Sequence, residues 1–345
     1  MRPTSLLLLT TLVPTLCLSA ESIFTKRKLD SFFYAEGAAI ADFTGDGRPD
    51  VAAGPRVFIG PDFQKSRVYR SPHAFDRLSY SNNFLTFTDD FNDDGRPDIL
   101  VIGWPGKEAF WFENPGEKVP SDWVQHLAYF NVDSESPGFA DLNGDGRAEI
   151  VAGSGGRLGY MQRDSKDATA AWTFHPITPP GKWQRYTHGI GLGDVNGDGV
   201  NDVVTSIAAH GYGLSWFEQK RAASGESSWI EHAVTSRKAE EKLGDVQFSQ
   251  PHAVMLVDMD GDGLKDIVTG KRHWAHGDKG DPEPNAPAVL YWFKLARGSA
   301  GVTFTPHLID NDSGVGCQFP IADLDGNGKP DIAIANKKGV FVFTQ

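Results

Sequence analysis

The 345-residue chain is poor in cysteine and lacks a basic cluster, and both shortages restrict its class. Its two cysteines, Cys17 and Cys317, are too few for the disulfide framework of a small secreted protein. The formal charge of -12, from 33 basic and 45 acidic residues, argues against nucleic-acid or anionic-membrane partners. Both kinds of partner require a positive face that displaces counterions. Nucleic acid is therefore not an expected partner.

Long hydrophobic runs are missing beyond the first twenty residues, so no membrane span is expected. Arg2 and the apolar stretch from Leu6 to Leu18 have the pattern of a secretory signal. We predict a cleaved signal peptide over residues 1–20, a single domain over residues 21–345, and a secreted or periplasmic location. A lipoprotein signal at Cys17 is the weaker alternative, because a bulky leucine precedes it.

Nucleophile-elbow, zinc-protease, P-loop and dinucleotide-binding motifs are also absent, so ATP use, NAD use and zinc proteolysis have no support. The chain instead contains one nine-residue acidic pattern six times. The copies read DFTGDGRPD, DFNDDGRPD, DLNGDGRAE, DVNGDGVND, DMDGDGLKD and DLDGNGKPD. They begin at Asp42, Asp90, Asp141, Asp194, Asp258 and Asp323.

Each copy lies between two strand patterns, and an aromatic strand and a strand with a W-x-x-H signature complete the repeat. This spacing matches a four-stranded propeller blade. We predict an all-β fold, a six-bladed β-propeller of four-stranded blades, in which the N-terminal FTKRKL strand completes the last blade beside VFVFT. A seven-bladed propeller is the alternative, but it needs an unassigned segment of roughly 40 residues.

The acidic loops carry carboxylates or amides at positions 1, 3, 5 and 9 and glycine at position 6, an arrangement that suits structural Ca²⁺ at up to six sites. A metal-free Asx-turn is the alternative, although carboxylates crowded on one turn repel each other without a cation. The predicted metal ligands are Asp42, Asp46, Asp50, Asp90, Asn92, Asp94, Asp98, Asp141, Asn143, Asp145, Glu149, Asp194, Asn196, Asp198, Asp202, Asp258, Asp260, Asp262, Asp266, Asp323, Asp325, Asn327 and Asp331.

The pattern D-x-N-G-D-G-x-x-D between strands, repeated around a propeller, resembles the FG-GAP and VCBS repeat family, which includes the propellers of integrin α-chains. The six copies extend this resemblance over essentially the whole chain after residue 20. Two copies depart from the pattern, at Thr44 and at Asn327. The resemblance implies a calcium-binding propeller of a type often used in adhesion.

Residues that recur at one repeat position are interpreted as scaffold, and residues that occur once are interpreted as candidates for a site. The histidines of the W-x-x-H position belong to the first group: His126, His175, His232 and His307. Six residues before each acidic loop, where the innermost strand starts, the repeats differ and carry Glu36, Phe84, Glu135, His188, His252 and Cys317. We predict that these positions ring the mouth of the central channel, on the face opposite the acidic loops.

The connections between second and third strands reach the same face, and one of them is an insertion from Gly270 to Pro287. The predicted catalytic residues are His188, His252, Tyr186, His273, His276, Lys271, Glu36 and Glu135. The predicted substrate-binding residues are Trp274, Arg272, Trp104, Arg56, His210 and Tyr212.

Indole faces beside histidine, tyrosine, carboxylate and cationic groups suit a sugar or glycan. The finer hypothesis is a carbohydrate lyase or dehydratase that abstracts a proton and eliminates, with an additional divalent metal held by His188, His252 and a glutamate. The rim is similar to the propeller domain of aldos-2-ulose and anhydrofructose dehydratases. A non-catalytic glycan- or protein-binding module of the adhesion type is the alternative, and a pure scaffold is a third. Whether the protein is an enzyme stays open at this point.

Overall fold

The structure is a computed structural model, and it describes residues 24–116, 122–133, 135–142, 145–181, 189–208, 210–222, 224, 227–242 and 246–345. The predicted signal peptide lies outside the described residues. So do three of the predicted site residues, Asn143, Tyr186 and His188.

Within these ranges the chain forms 24 strands and no helix, and the strands make six antiparallel sheets of four. The first three blades, from inner to outer strand, are β2–β5 (Ala38–Ala41, Asp50–Ala53, Arg56–Ile59 and Lys65–Val68), β6–β9 (Leu85–Asp89, Asp98–Ile102, Lys107–Glu113 and Val124–Val132) and β10–β13 (Gly138–Ala140, Glu149–Ser154, Arg157–Gln162 and Thr173–Pro176). The other three are β14–β17 (Ile190–Gly193, Asp202–Ser206, Leu214–Arg221 and Ser227–Thr235), β18–β21 (Pro251–Val257, Asp266–Lys271, Leu290–Gly298 and Gly301–Asp310) and β22–β24 with β1 (Ile321–Ala322, Asp331–Asn336, Gly339–Thr344 and Thr25–Asp30). The predicted six-bladed propeller is confirmed, and the seven-bladed alternative is wrong.

The last blade is completed by the first strand of the chain. Strand β1 pairs antiparallel with β24, with Thr25 opposite Thr344 and Lys28 opposite Phe341. The ring is thus closed by backbone hydrogen bonds between the two ends of the described chain, which covers an otherwise open sheet edge. This is the closure that the sequence predicted.

The second strand of each blade supplies much of the core. All five residues of β7 and all six of β23 are buried, as expected for short apolar runs between two neighbouring strands. The innermost strands of blades two to six line a mostly apolar central cavity of about 560 Å³. The channel is therefore enclosed by the strands whose starting residues differ between repeats.

No helix that could span a membrane occurs in the described part of the chain.

The acidic loops join the first to the second strand of every blade and so share one face of the propeller. The connections between second and third strands, and those between blades, reach the opposite face, which we call the rim. Backbone hydrogen bonds join neighbouring blades there, from Glu36 N–H to Asn83 (2.8 Å) and from Cys317 N–H to Glu36 (2.7 Å). These bonds fix the starts of the inner strands relative to one another.

Candidate functional site

The starts of the inner strands converge on one arginine of the blade-five insertion. The guanidinium of Arg272 donates from Nε to Glu36 Oε1 at 3.1 Å, and its Nη2 donates to the same oxygen. Its Nη1 lies 3.1 Å from His252 Nε2 and 3.5 Å from Glu135 Oε2. The ring of Phe84 lies beneath it, with its centroid 5.4 Å from Cζ. Four of the six positions singled out in the sequence thus contact a single side chain.

This Arg272 cluster, made of Arg272, Glu36, Glu135 and His252, is buried: none of the four is more than 5% exposed. The sequence predicted these side chains at an open channel mouth, but the insertion folds Arg272 down onto them. A permanent guanidinium beside two carboxylates offsets part of their charge. The divalent metal expected at His188, His252 and a glutamate stays a prediction, because His188 lies outside the described residues.

Burial also controls ionisation around the cluster. Desolvation alone lowers the pKa of Arg272, but the neighbouring Cys317, Glu36 and Glu135 outweigh it and hold that pKa above its usual value. Desolvation raises the pKa of the Cys317 thiol well above its usual value. The thiol stays protonated at neutral pH and is a poor nucleophile.

Two lysines lie buried near the rim. Lys271 is fully buried and its Nζ donates to Ser249 Oγ at 2.5 Å, while desolvation lowers its pKa to about 8. Lys337, at the start of the hairpin between β23 and β24, donates to the backbone oxygen of Trp274 at 2.7 Å, and desolvation lowers its pKa to about 8. Sequence reasoning missed Lys337, although its position between a second and a third strand could have identified it.

The predicted residues of the insertion are held within their own loop. Trp274 has a positive φ of 54° and donates from Nε1 to Asn285 Oδ1 at 3.0 Å. His273 stacks on it, with ring centroids 4.5 Å apart, and desolvation lowers the pKa of His273 to about 4. His273 is therefore neutral at physiological pH.

A second polar group lies between the connections of blades four and five. His276 Nδ1 lies 2.9 Å and His210 Nδ1 3.7 Å from the same oxygen of Asp281, Oδ1. The His210 ring is stacked 5.6 Å from that of His252, which joins this group to the Arg272 cluster. Sequence reasoning named both histidines but missed Asp281, which follows His276 by five residues in the same loop.

The remaining predicted rim residues are distributed around these groups. Burial, followed by a hydrogen bond with Glu283, raises the pKa of Tyr212 to about 12. Arg56 donates to Ser66 Oγ at 3.1 Å and lies 3.7 Å from Asp30. Its guanidinium therefore interacts with the first blade and with the closing strand β1. The structure does not bring Arg56 to the Arg272 cluster.

Trp104 lines a groove between the connections of blades one and two. The groove has a volume of about 460 Å³, and its aromatic wall is formed by Trp104 and Tyr80, whose ring centroids are 4.2 Å apart at an interplanar angle of 58°. Its polar lining includes Arg70, Lys107 and Gln125. Sequence reasoning missed Tyr80, which lies in the long connection between β5 and β6.

Buried side chains connect the aromatic wall of the groove to the Arg272 cluster. Phe84 packs edge-on against Trp104, with centroids 5.1 Å apart, and also underlies Arg272. The ammonium group of Lys337 lies 4.8 Å from the centroid of Tyr80. A ligand in the groove would therefore lie against aromatic rings and near the lining cations Arg70 and Lys107.

The acidic loops share one backbone geometry on the opposite face. The glycine at position 6 has φ between 81° and 85° in all six loops. This backbone conformation is strained for any residue that has a Cβ, so the position requires glycine. Its N–H donates to the first aspartate of the loop at 2.7–3.0 Å in every copy. The first predicted ligand is thereby fixed in orientation.

The carboxylate at position 9 is fully buried in each loop. In blades two and five it connects the loop to the third strand or to the residue that follows that strand. In blade two, Asp98 accepts from Phe91 N–H at 2.9 Å and from Asn114 N–H at 2.7 Å. In blade five, Asp266 accepts from Met259 N–H at 3.0 Å and from Leu295 N–H at 2.8 Å. This residue thus has a structural function besides its predicted ligand function.

In three loops the donor oxygens already lie within 4.8 Å of one another. They are Asp141, Asp145 and Glu149, then Asp258, Asp260 and Asp262, and finally Asp323, Asp325 and Asp331. In the second of these groups the Lys294 ammonium contacts Asp260 and lies 3.1 Å from Asp262. Groups made only of hard oxygen donors suit the predicted Ca²⁺.

The recurring histidines of the outer strands pack as predicted. Each stacks on an aromatic residue of the third strand with centroids 4.2–4.9 Å apart: His126 on Trp111, His175 on Tyr160, His232 on Trp216 and His307 on Trp292. They belong to the scaffold of the blades.

Residues 90–152 and 141–205 match the FG-GAP-like repeat family. No curated protein matches the chain. Similar solved structures include an Agrocybe aegerita lectin described as recognising non-reducing terminal N-acetylglucosamine (18% identity, 88% of this chain and 78% of that chain, TM-score 0.40). A Photorhabdus luminescens Tc holotoxin pore is also similar, with 15% identity over 93% of this chain and 14% of that chain and a TM-score of 0.38. BBS1N in complex with ARL6DN is similar with 9% identity over 94% of this chain and 97% of that chain and a TM-score of 0.44. The repeat match and the six blades confirm the predicted FG-GAP repeat propeller.

Proposed function

We propose, for a chain that carries FG-GAP-like repeats in a six-bladed propeller, that the groove beside Trp104 binds carbohydrate. The observation that carries the proposal is the groove itself, with two packed aromatic rings, centroids 4.2 Å apart, at one wall and cationic and amide groups in its lining. An aromatic face packs against the C–H face of a sugar ring, while planar polar groups bind its hydroxyls. A cavity of about 460 Å³ also lies within the size range of small-ligand sites.

We propose binding in preference to catalysis because of where the candidate bases lie. An elimination mechanism requires a base within hydrogen-bond reach of the substrate. His252, Glu36 and Glu135 are at most 5% exposed and are paired with Arg272. A lyase or dehydratase reaction that uses one of these three residues as its base therefore needs the insertion to open, whereas binding in the groove does not.

We further propose that structural Ca²⁺ occupies the acidic loops. The donors at positions 1, 3, 5 and 9 would hold the ion, and the ion would offset the repulsion among the carboxylates. Because each loop joins the first two strands of a blade, bound Ca²⁺ would stabilise the strands that carry the rim. Export by the N-terminal signal stays part of the proposal, and N-terminal sequencing of the secreted protein tests it.

A glycan array followed by calorimetry tests the binding proposal. The Trp104→Ala variant should lose at least about tenfold in affinity for any glycan that wild type retains, which corresponds to about 1.4 kcal/mol. Trp229→Ala is the matched control, because Trp229 is 49% exposed on an outer strand and should leave affinity unchanged. Equal affinities of wild type and Trp104→Ala would contradict the proposal. If wild type retained no glycan, the protein-binding alternative would replace it.

A further inference from the structure

The group formed by His210, His276 and Asp281 has the composition of a transition-metal site. Two imidazoles and one carboxylate are donors that favour Zn²⁺ and similar divalent cations, whereas Ca²⁺ takes oxygen donors. One donor atom from each of the three residues lies within 4.8 Å of the other two. The group is therefore chemically different from the acidic loops on the other face.

The distances among these donors suit a single ion. Zinc lies about 2.0–2.2 Å from nitrogen and oxygen ligands, so the ligands of a tetrahedral site are about 3.4 Å apart. The two measured separations from Asp281 Oδ1, 2.9 Å to His276 and 3.7 Å to His210, fall on either side of this value. The two imidazole rings meet edge to face, with centroids 4.2 Å apart and an interplanar angle of 81°. Small side-chain movements would place all three donors on one cation.

The loop that carries two of the ligands is shaped to bring them together. Asp281 Oδ2 accepts a hydrogen bond from the backbone N–H of His276 at 2.8 Å, which leaves Oδ1 turned toward both histidines. A Cβ at Gly280 would lie 2.2 Å from the backbone oxygen of His276 and 2.6 Å from its Cβ, so this close turn depends on glycine. Backbone hydrogen bonds that orient a ligating carboxylate are typical of built metal sites.

The site would also have an open position. The side chains of Asp281 and His210 are 5% and 15% exposed, but that of His276 is 51% exposed. Three protein ligands with solvent on one side are the arrangement of zinc sites that keep a coordination position for water or a ligand oxygen. Since His210 comes from blade four and the other two from blade five, an ion here would also link two rim connections.

From this geometry we propose that His210, His276 and Asp281 bind one Zn²⁺-class ion at the rim. This site differs from the metal position expected from the sequence, at His188, His252 and a glutamate. It does not depend on glycan binding in the groove beside Trp104, which lies at the connections of blades one and two.

Calorimetric titration of the tag-free, chelator-treated chain with ZnCl₂ in the presence of Ca²⁺ tests the proposal. Wild type should bind one additional zinc ion per chain with a dissociation constant of about 1 μM or lower. His276→Ala and Asp281→Asn should each weaken this binding at least tenfold. Co²⁺ in place of Zn²⁺ should give the visible absorption of a low-symmetry site in wild type and lose it in both variants.

The matched control is His232→Ala. His232 also pairs with a carboxylate, Glu218 at 3.1 Å, but is not part of a three-ligand group among the described residues. This variant should bind zinc as wild type does. The half-exposed His276 can be replaced without loss of core packing, so an unchanged melting curve of metal-free His276→Ala verifies its fold. Absence of zinc binding by wild type, or equal zinc affinity in wild type and His276→Ala, would overturn the proposal.

Discussion

Replacing Arg272 with methionine should destabilise the propeller strongly, because it removes the guanidinium that contacts two buried carboxylates. The guanidinium contacts Glu36, Glu135 and His252, and none of these side chains is more than 5% exposed. Removal of one partner of a buried ion pair costs about 3–5 kcal/mol. At about 2 °C per kcal/mol for a chain of this size, the melting temperature should fall by roughly 6–10 °C.

Denaturant unfolding followed by tryptophan fluorescence measures this loss. Arg237→Met is the control, since Arg237 also contacts a glutamate, Glu231, but is 55% exposed and should cost less than about 1 kcal/mol. Adding Glu36→Gln to Arg272→Met should restore part of the stability, because it removes the buried charge of Glu36 that Arg272 contacted. A loss for Arg272→Met no larger than that for Arg237→Met would refute the reasoning.

Three further predictions follow from the scaffold. Chelation should lower the melting temperature, since each Ca²⁺ site contributes about 2.7 kcal/mol when the free Ca²⁺ concentration is one hundred times its dissociation constant. Asp262→Ala should lose one bound ion, as counted by elemental analysis. A calcium-free protein whose melting curve does not change on chelation would contradict this. Deletion of residues 21–30 should expose the edge of β24 and cause aggregation by light scattering, and a monodisperse deletion variant would disprove the closure. Burial lowers the folded-state pKa of Lys271 to about 8 from 10.5, so the unfolded chain binds more protons between these values. Stability should therefore rise with pH across this window in wild type. The rise should be smaller in Lys271→Met, and an equal rise in the two proteins would contradict this account.

Much of the fold was predictable because the repeats count the blades. The six acidic loops give the number of blades. The last blade needed an outer strand and the first strand pattern of the chain was unassigned, so the two ends had to pair, as the structure shows between β1 and β24. The convergence of Glu36, Glu135 and His252 was also predictable, because a constant distance from the acidic loop places these residues at one level of the channel.

The depth of the candidate site was not predictable from the same pattern. Burial of Arg272 depends on how the insertion folds back, and an insertion present in one blade has no second copy for comparison. Asp281 and Tyr80 were missed for a similar reason, since each lies in a long connection whose path is determined by tertiary contacts. The position within a repeat thus predicts on which face of the propeller a connection emerges. It does not predict where the side chains of that connection lie.

The most direct test of the carbohydrate-binding account is a crystal structure of the full chain soaked with the glycan that the array selects. The account predicts density for a sugar ring stacked on Trp104 or Tyr80, with its hydroxyls within hydrogen-bond distance of Arg70, Lys107 or Gln125. Sugar density confined to another surface, with the groove beside Trp104 filled by solvent alone, would contradict it.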